Sequence, residues 1–600
     1  MPVSAGSCSR AVGFRASNDQ QHKQKLYQTR SLPGAWRVPL IFEWVVIAIY
    51  LAGITGLGIM TSKKVSSASD FFISDRKFGK AMLTFFTFGT GTNTDQAVTV
   101  ASKTYSSGAS GIWYQWLWLF ATPIYWILAP LFRRMRSVTT ADYLNVRYGA
   151  SVAVLFALVG MLQLSVNIGV VLKASSAMVT AVFGDVVSPE LVIFAMTGMF
   201  VAYGIAGGLN AAIVTDLIQG LLTMVLSFLL LPFAFQAVGG MSGLRESIAN
   251  PEVFAVVAPS EITMLYIIVI TINGIIGWVT SPYSMAMCGA GRSEFDSRVG
   301  LVCGMFLKRA CTVAWALTGL IAIAIYANAD SDQVYGMLAR DILPTVAPGL
   351  VGLFVASMLA AVMSSCDTFM VSSSALFTEN IYKPFIRPGQ SERHYITVGR
   401  VASVIVVLGG IFIAFRLTSV IAGLELFWIV QAMMGIAIWA SFFWRRATAV
   451  GAWASTLSGF AAWFLTSDVN VVGYSFNASF APMLPRFMLY DGALSLPWQM
   501  IIYLGVASFV MVVVSMATTP PSKEKLDRIY ETLRTPVELD EPEVPPMTLP
   551  KTIQPAPRTV LIEHPDFEFM KPSKITMIGF VMSCGAVTLL VYGFLWILTL

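Results

Sequence analysis

The sequence predicts an all-α membrane protein of about 14 transmembrane helices. Three observations predict it. Residues of the AVILMFWYC set make up 56% of the 600 residues, charged residues only 12%, and mean hydropathy is +0.70. A soluble fold needs about 25% charged residues to cover its surface, so lipid must solvate most of this chain. Apolar runs long enough to cross a bilayer recur from residue 41 to residue 598. The loops between them alternate between rich and poor in Lys and Arg.

The same composition excludes several functions. The net charge of +6 is spread through short loops, which argues against nucleic-acid binding. Six cysteines without paired spacing make neither a disulfide scaffold nor a zinc ribbon. None of the three histidines (His22, His394, His564) lies in an apolar run, so haem or histidine-bound metal inside the membrane lacks ligands. No catalytic triad is visible, and an enzyme is not expected. No obligatory protein partner is evident.

Residues 1–40 are a polar tail with no apolar core of its own, which is unlike a signal peptide. A span needs about 20 mostly apolar residues. Fourteen follow, at roughly 41–61, 79–100, 111–132, 151–183, 190–206, 211–239, 262–286, 302–327, 349–378, 398–417, 422–442, 447–466, 499–518 and 575–598. Residues 41–518 are read as the core. Residues 519–574 contain a short amphipathic stretch from Lys523 to Leu533, then a proline- and acid-rich run from Pro536 to Pro557. Such a run cannot bury enough apolar surface to fold by itself, so this segment is expected to be a largely disordered cytoplasmic linker. Residues 575–600 are the last transmembrane helix.

Charge sets the orientation. With Lys80, Arg400 and Arg416 counted in the loops they adjoin, the loop after span 1 and every second loop after it hold 25 Lys/Arg against 5 in the others. The first set is therefore cytoplasmic, and an even span count puts both termini outside. The tail disagrees, with six basic residues of its own, but long tails obey the rule weakly.

Ionisable groups at membrane depth are costly, so each is a functional hypothesis. Span 2 reads Thr87-Phe-Gly-Thr-Gly-Thr-Asn-Thr-Asp95-Gln96. A tightly packed small-residue interface would also use the glycines. With Asn93, Asp95 and Gln96 beside them, a broken helix whose freed carbonyls coordinate a cation is the better reading. Asp216 lies near the start of span 6, where a helix N-terminus alone would also favour it. Span 7 is interrupted again, at Asn273-Gly274, Gly277-Trp278 and Thr280-Ser281-Pro282. It lies five spans after span 2, and paired interruptions point to a central site between repeats. Lys173 in span 4 and Lys308 in span 8 are the intramembrane cations, and Arg309, next to Lys308, reads as a solvated boundary residue. In span 9, Ala361, Ser364, Ser365 and Thr368 share one helix face. That face offers a carbonyl and three hydroxyls, oxygen ligands suited to a hard cation such as sodium. Back-bonding of the hydroxyls to their own helix is the alternative. Asp367, which needs a counter-charge, tips the balance toward an ion.

Together these residues resemble the sodium:solute symporter family, which includes sodium–glucose and sodium–proline symporters. The resemblance covers about residues 41–466. It is carried by Tyr203-Gly-Ile-Ala-Gly207-Gly208-Leu-Asn-Ala-Ala-Ile-Val-Thr215-Asp216-Leu-Ile-Gln219, Ala361-Val-Met-Ser364-Ser365, Ser373-Ser-Ala-Leu-Phe-Thr-Glu-Asn-Ile-Tyr382 and Phe443-Trp-Arg-Arg-Ala-Thr-Ala-Val-Gly451. Gly204 departs from the family, which usually has Thr or a similar small residue there. The resemblance implies a LeuT-like core of inverted 5+5 helix repeats, about 79–239 and 262–442, with extra flanking helices. It implies a sodium site of the Gly89 and Thr92 carbonyls, the Ala361 carbonyl and the Ser364 and Ser365 hydroxyls. Asp216 matches a family acid on the inner ion path. Asp367 stands where relatives usually carry a hydroxyl residue. Asp216, Asp367 and Thr368 are therefore candidates for a second cation, sodium or a proton on Asp367.

For the solute, the resemblance points to Gln96, Gln115, Trp278 and Lys308, and to Gln431 in Phe427-Trp-Ile-Val-Gln431; a gap in the preceding loop would align Leu424 instead. Gln115 replaces a family Glu, Gly277 a family Tyr, and Pro282 interrupts a stretch that carries a Gln in relatives. These departures weaken an expectation of sugar. Asp95 offers a partner to an amine and Lys308 one to a carboxylate. The expected function is sodium-coupled uptake of a sugar, amino acid or carboxylate across the cell (inner or plasma) membrane. A proton-coupled or dual-ion symporter of the same fold is the nearest alternative. A cation channel or a transporter-like sensor is the alternative of another class.

Overall fold

A computed structural model describes residues 40–62, 78–258, 261–467, 479–539, 541–542 and 544–600; at residues 40, 58–59, 61–62, 185 and 203–214 it describes the backbone alone. The polar tail therefore lies outside the described residues, and so do most side chains of the 203–219 motif.

The first helices in chain order are α1 (Leu40–Ser62), α2 (Lys80–Gly91), α3 (Thr94–Ser107), α4 (Thr122–Arg134), α5 (Thr140–Tyr148) and α6 (Ala150–Phe183). The stretch read as spans 190–206 and 211–239 is helical over α7 (Pro189–Val238), with apolar segments Pro189–Ala202 and Thr215–Val238. Next come α8 (Met264–Trp278), α9 (Tyr283–Gly289), α10 (Glu294–Ile325), α11 (Leu350–Phe377) and α12 (Glu392–Arg416). The chain then runs through α13 (Val420–Ala432), α14 (Gly435–Phe443), α15 (Ala449–Thr466), α16 (Leu496–Ala517), α17 (Lys523–Arg534) and α18 (Lys574–Thr599).

Among the described residues, eight helical segments are long and apolar enough to cross a membrane. The pair α8 and α9 is a ninth if counted as one span, bent by 69°. Of the other stretches read as spans, Ile41–Leu57 and Pro189–Ala202 are shorter apolar helical segments, and the second span is two pieces, α2 and α3.

Burial separates centre from rim. The apolar window of α11 is 89% buried, while that of α18 is only 22% buried. A lipid-facing helix exposes Leu, Ile and Phe at no cost in hydrocarbon, whereas Ser, Thr and Asp must be covered by protein. Accordingly α11, with Ser364, Ser365, Asp367 and Thr368, is central and packs on α1, α2, α6, α7 and α12.

One intramembrane acid has a structural task. Glu43 of α1 is buried, and its carboxylate accepts the N–H groups of Gly349, at 2.9 Å, and Gly352. These open the N-terminus of α11, where a negative charge is stabilised by the helix dipole. Gly349 adopts φ +83°, and a Cβ there would lie 2.8 Å from Phe42.

Residues 519–574, read as a linker without a fold, lie instead against the helix ends. Leu526, Ile529, Tyr530 and Leu533 form the buried stripe of α17. Tyr530 donates to the Ser441 carbonyl at 2.9 Å. Arg134 donates to the Leu533 and Arg534 carbonyls at 3.2 and 3.3 Å, satisfying the open C-terminus of α17. Beyond α17, Arg136 and Glu541 form a buried ion pair, and Arg445 pairs with Glu568 at 2.5 Å. Phe569 stacks on Phe443 at 5.1 Å. A proline-rich segment has no core of its own, but it orders on a surface that supplies partners for its carbonyls and acids.

Candidate ion and solute sites

The ion candidate begins with a break in a helix. α2 ends at Gly91, Thr92 and Asn93 are extended (φ −129° and −120°), and α3 starts at Thr94. The i→i+4 ladder stops there, and the Gly89 carbonyl keeps only a tighter bond from the Thr92 N–H at 3.2 Å. α11 crosses beside them. The Ser365 hydroxyl lies 3.3 Å from the Gly89 carbonyl and 3.1 Å from the Thr90 carbonyl, and it also reaches the Asn93 side-chain oxygen. A hydroxyl carries one proton. The Gly89 carbonyl also accepts the Thr92 N–H, and three acceptor oxygens converging on the one Ser365 proton make a locus of negative potential.

Neighbouring residues complete that locus. A Cβ on Gly89 would lie 3.0 Å from Asp216 Cβ and 3.2 Å from Ser364 Oγ, so glycine lets α2 sit against α7 and α11 at once. Thr92 Oγ1 is buried with no hydrogen-bond partner among the described residues. Ala361 lies one turn before Ser365 in α11 and is buried. An all-oxygen donor set fits a hard monovalent cation.

A second oxygen cluster adjoins the first. The Thr90 hydroxyl donates to Asp216 Oδ2 at 3.4 Å and sits 3.2 Å from the Thr368 hydroxyl. Thr90 thus joins α2, α7 and α11 at one point. Asp367, next to Thr368 in sequence, is equally buried.

All six sequence-predicted solute residues line one cavity. Asp95, Gln96, Gln115, Trp278, Lys308 and Gln431 surround a space of about 40 Å³. Thr90, Gly91 and Asn93 line it too, so the helix break forms a wall of the solute space. One water needs about 10–15 Å³ of such space, so the cavity holds a few waters, and a solute of sugar size enters only if these helices part.

The polar groups around this space are of two kinds. Some are committed. Gln96 Nε2 donates to the Gly91 carbonyl at 2.8 Å, and Gln431 Nε2 donates to Ser281 Oγ at 2.6 Å within the bend between α8 and α9. Others have no hydrogen-bond partner among the described residues. These are Asp95 Oδ1, Gln96 Oε1, both amide atoms of Gln115, and the indole nitrogens of Trp118 and Trp278. Buried polar groups are normally paired, so a group of orphans around one space marks a place for a polar ligand. Trp278 stacks on Tyr125 at 4.3 Å, which fixes an apolar wall.

Sequence reasoning passed over Thr90, Trp118 and Tyr125. Thr90 shares a helix turn with Thr87 and the glycines and carried no distinguishing signal. The two aromatics belong to a stretch whose other Trp and Tyr residues pack elsewhere, so only three-dimensional proximity singles them out.

Broken helices around a central oxygen cluster, with a polar cavity against the break, define the transporter class of membrane protein. Residues 71–459 match the family model for the sodium:solute symporter family. The chain belongs to this family. It is 25% identical over 573 residues to the sodium/myo-inositol cotransporter 2 of Oryctolagus cuniculus, covering 87% of this chain and 82% of that one. It is 24% identical to the high-affinity proline transporter PutP of Bacillus subtilis, over 72% of this chain and 92% of that one. It is 23% identical to the sodium/glucose cotransporter of Vibrio parahaemolyticus, over 68% and 82%. Its fold matches that of a Na+-coupled sialic acid symporter solved in a substrate-bound outward-open state, with a TM-score of 0.66 at 19% identity, over 80% of this chain and 99% of that one.

Proposed function

We propose that this chain is a sodium-coupled symporter that takes up a small organic solute by alternating access in the cell (inner or plasma) membrane. Fourteen spans, inverted 5+5 repeats at about 79–239 and 262–442, and both termini outside belong to this reading. The observation that carries it is the meeting of the Gly89 and Thr90 carbonyls, Asn93 and the Ser365 hydroxyl around one proton. Sodium replaces that proton as the positive centre. The carbonyls of Gly89, Thr92 and Ala361 and the hydroxyls of Ser364 and Ser365 hold it.

Sodium binding fixes the break between α2 and α3. Their neighbours at the break, Thr90, Gly91 and Asn93, wall the solute cavity, so the ordered break presents Asp95 and Gln96 to the solute with Gln115, Trp278, Lys308 and Gln431. Coupling requires that ion and solute favour the same state. Inward sodium movement supplies about 2.3 kcal/mol per charge per 100 mV, plus its concentration term.

A dual-ion reading has its own support in Thr90, which contacts both Asp216 and Thr368. Asp216, Asp367 and Thr368 take the second cation, sodium or a proton on Asp367.

Purified protein in sealed proteoliposomes tests the proposal. An inward sodium gradient should drive accumulation of a sugar, amino acid or carboxylate above its bath concentration, and a potassium gradient should not. Equilibration without accumulation would indicate a channel, and sodium-independent accumulation would overturn the assignment.

A further inference from the structure

The solute cavity carries more positive than negative charge. Lys308 and Arg309 line it, and Asp95 is the one acid among its lining residues. Arg309 is 1% exposed and Lys308 is 6% exposed. Among the described residues, neither cation has a carboxylate within the 4.0 Å of an ion pair. Both lie instead around the indole of Trp118, at 5.6 and 5.8 Å from its ring. The Arg309 guanidinium donates to the Gln115 carbonyl at 2.9 Å, while its Nε has no partner among the described residues.

This arrangement needs an explanation. A guanidinium stays charged in any protein environment, so Arg309 cannot shed its charge as a buried lysine can. Two like charges sharing one indole repel, and burying an unpaired charge is strongly unfavourable. A neutral polyol satisfies Gln96 and Gln115 but leaves the surplus cation uncompensated. A carboxylate satisfies it, because both cations present donors where an anion oxygen accepts.

We infer that the transported solute carries a carboxylate, bound by Lys308 beside Arg309, and that Asp95 and the glutamines hold the polar remainder of the molecule. This rests on the symport reading above and names the chemical class that its cavity selects.

Thermal-shift titrations of the purified full-length protein test it. Matched probes are glucuronate against glucose and proline against prolinamide, each in sodium and in potassium. In sodium, at least one acid should stabilise the protein at a concentration about tenfold or more below that of the partner lacking the carboxylate, a difference of about 1.4 kcal/mol. Lys308→Gln should abolish this preference. Asp95→Asn, which removes the opposing charge, should enlarge it, so loss of fold is distinguishable from loss of recognition. Glucose or prolinamide binding as well as its acid, a preference that survives in Lys308→Gln, or no response to any probe beside a clear sodium response would overturn the carboxylate assignment and leave the sodium reading standing. Absence of any sodium effect would overturn the reading beneath it, and the assignment with it.

Discussion

The side-chain amide of Gln96 donates to the Gly91 carbonyl at 2.8 Å, across the two extended residues that separate α2 from α3. Gln96 Oε1 is buried on the rim of the solute cavity without a hydrogen-bond partner among the described residues. One side chain therefore closes the helix break with its nitrogen and faces the solute space with its oxygen. Gly89 and Thr90, immediately before Gly91, offer their carbonyls to Ser365. Ion and solute candidates share a stretch of backbone, so coupling needs no long path.

Gln96→Ala removes the link. The Gly91 carbonyl then loses its donor, a loss of about 1–3 kcal/mol for a buried group. Both the half-saturating sodium and the half-saturating solute concentration of proteoliposome uptake should rise. A rise in the solute value alone would mean that the break is not shared.

Gly89→Ala inserts a methyl group 3.0 Å from Asp216 Cβ and 3.2 Å from Ser364 Oγ. Overpacking of this kind costs about 1–3 kcal/mol. The melting temperature should fall, and sodium should no longer raise it. Unchanged sodium stabilisation would show that α2 does not approach α7 and α11 this closely.

The break was legible in the sequence because a hydrocarbon-depth helix has no use for Gly89, Gly91, Asn93 and Asp95 in one or two turns unless its backbone opens there. The bend at 279–282 was legible for the same reason, through Gly277 and Pro282. Six solute candidates from five helical stretches line one cavity, because polar residues at membrane depth have few places to go except inward. Glu43 was not legible. Its partners, Gly349 and Gly352, lie 306 and 309 positions away, and nothing in α1 signals a helix N-terminus above it. Arg309, which follows Lys308 near a span end, reads as a solvated boundary residue, whereas it is 1% exposed. The order in 519–574 was hidden because its donors, Arg134, Arg136 and Arg445, belong to other loops, where they counted only toward orientation.

Glu43→Ala leaves the first N–H groups of α11 uncovered, a loss of about 0.5–2 kcal/mol by analogy with N-caps. The melting temperature in sodium and in potassium should fall by the same amount, because Glu43 is remote from the break. A selective loss in sodium would instead tie α1 to the ion.

Glu541→Ala leaves Arg136 buried and unpaired, a change expected to destabilise by about 3–5 kcal/mol. Limited proteolysis of the purified protein should then cut within 536–557 far faster than in the parent. Equal cutting rates would mean that the segment is not held by this ion pair.

Equilibrium binding of radiolabelled sodium to the purified protein tests the central claim most directly, with Ser365→Ala and Ser364→Ala beside the parent. The parent should bind sodium saturably in excess potassium, and each loss of a hydroxyl should weaken binding by about tenfold or more, equivalent to about 1.4 kcal/mol. Sodium binding of unaltered strength in the doubly substituted protein would contradict a cation caged between the broken second span and α11.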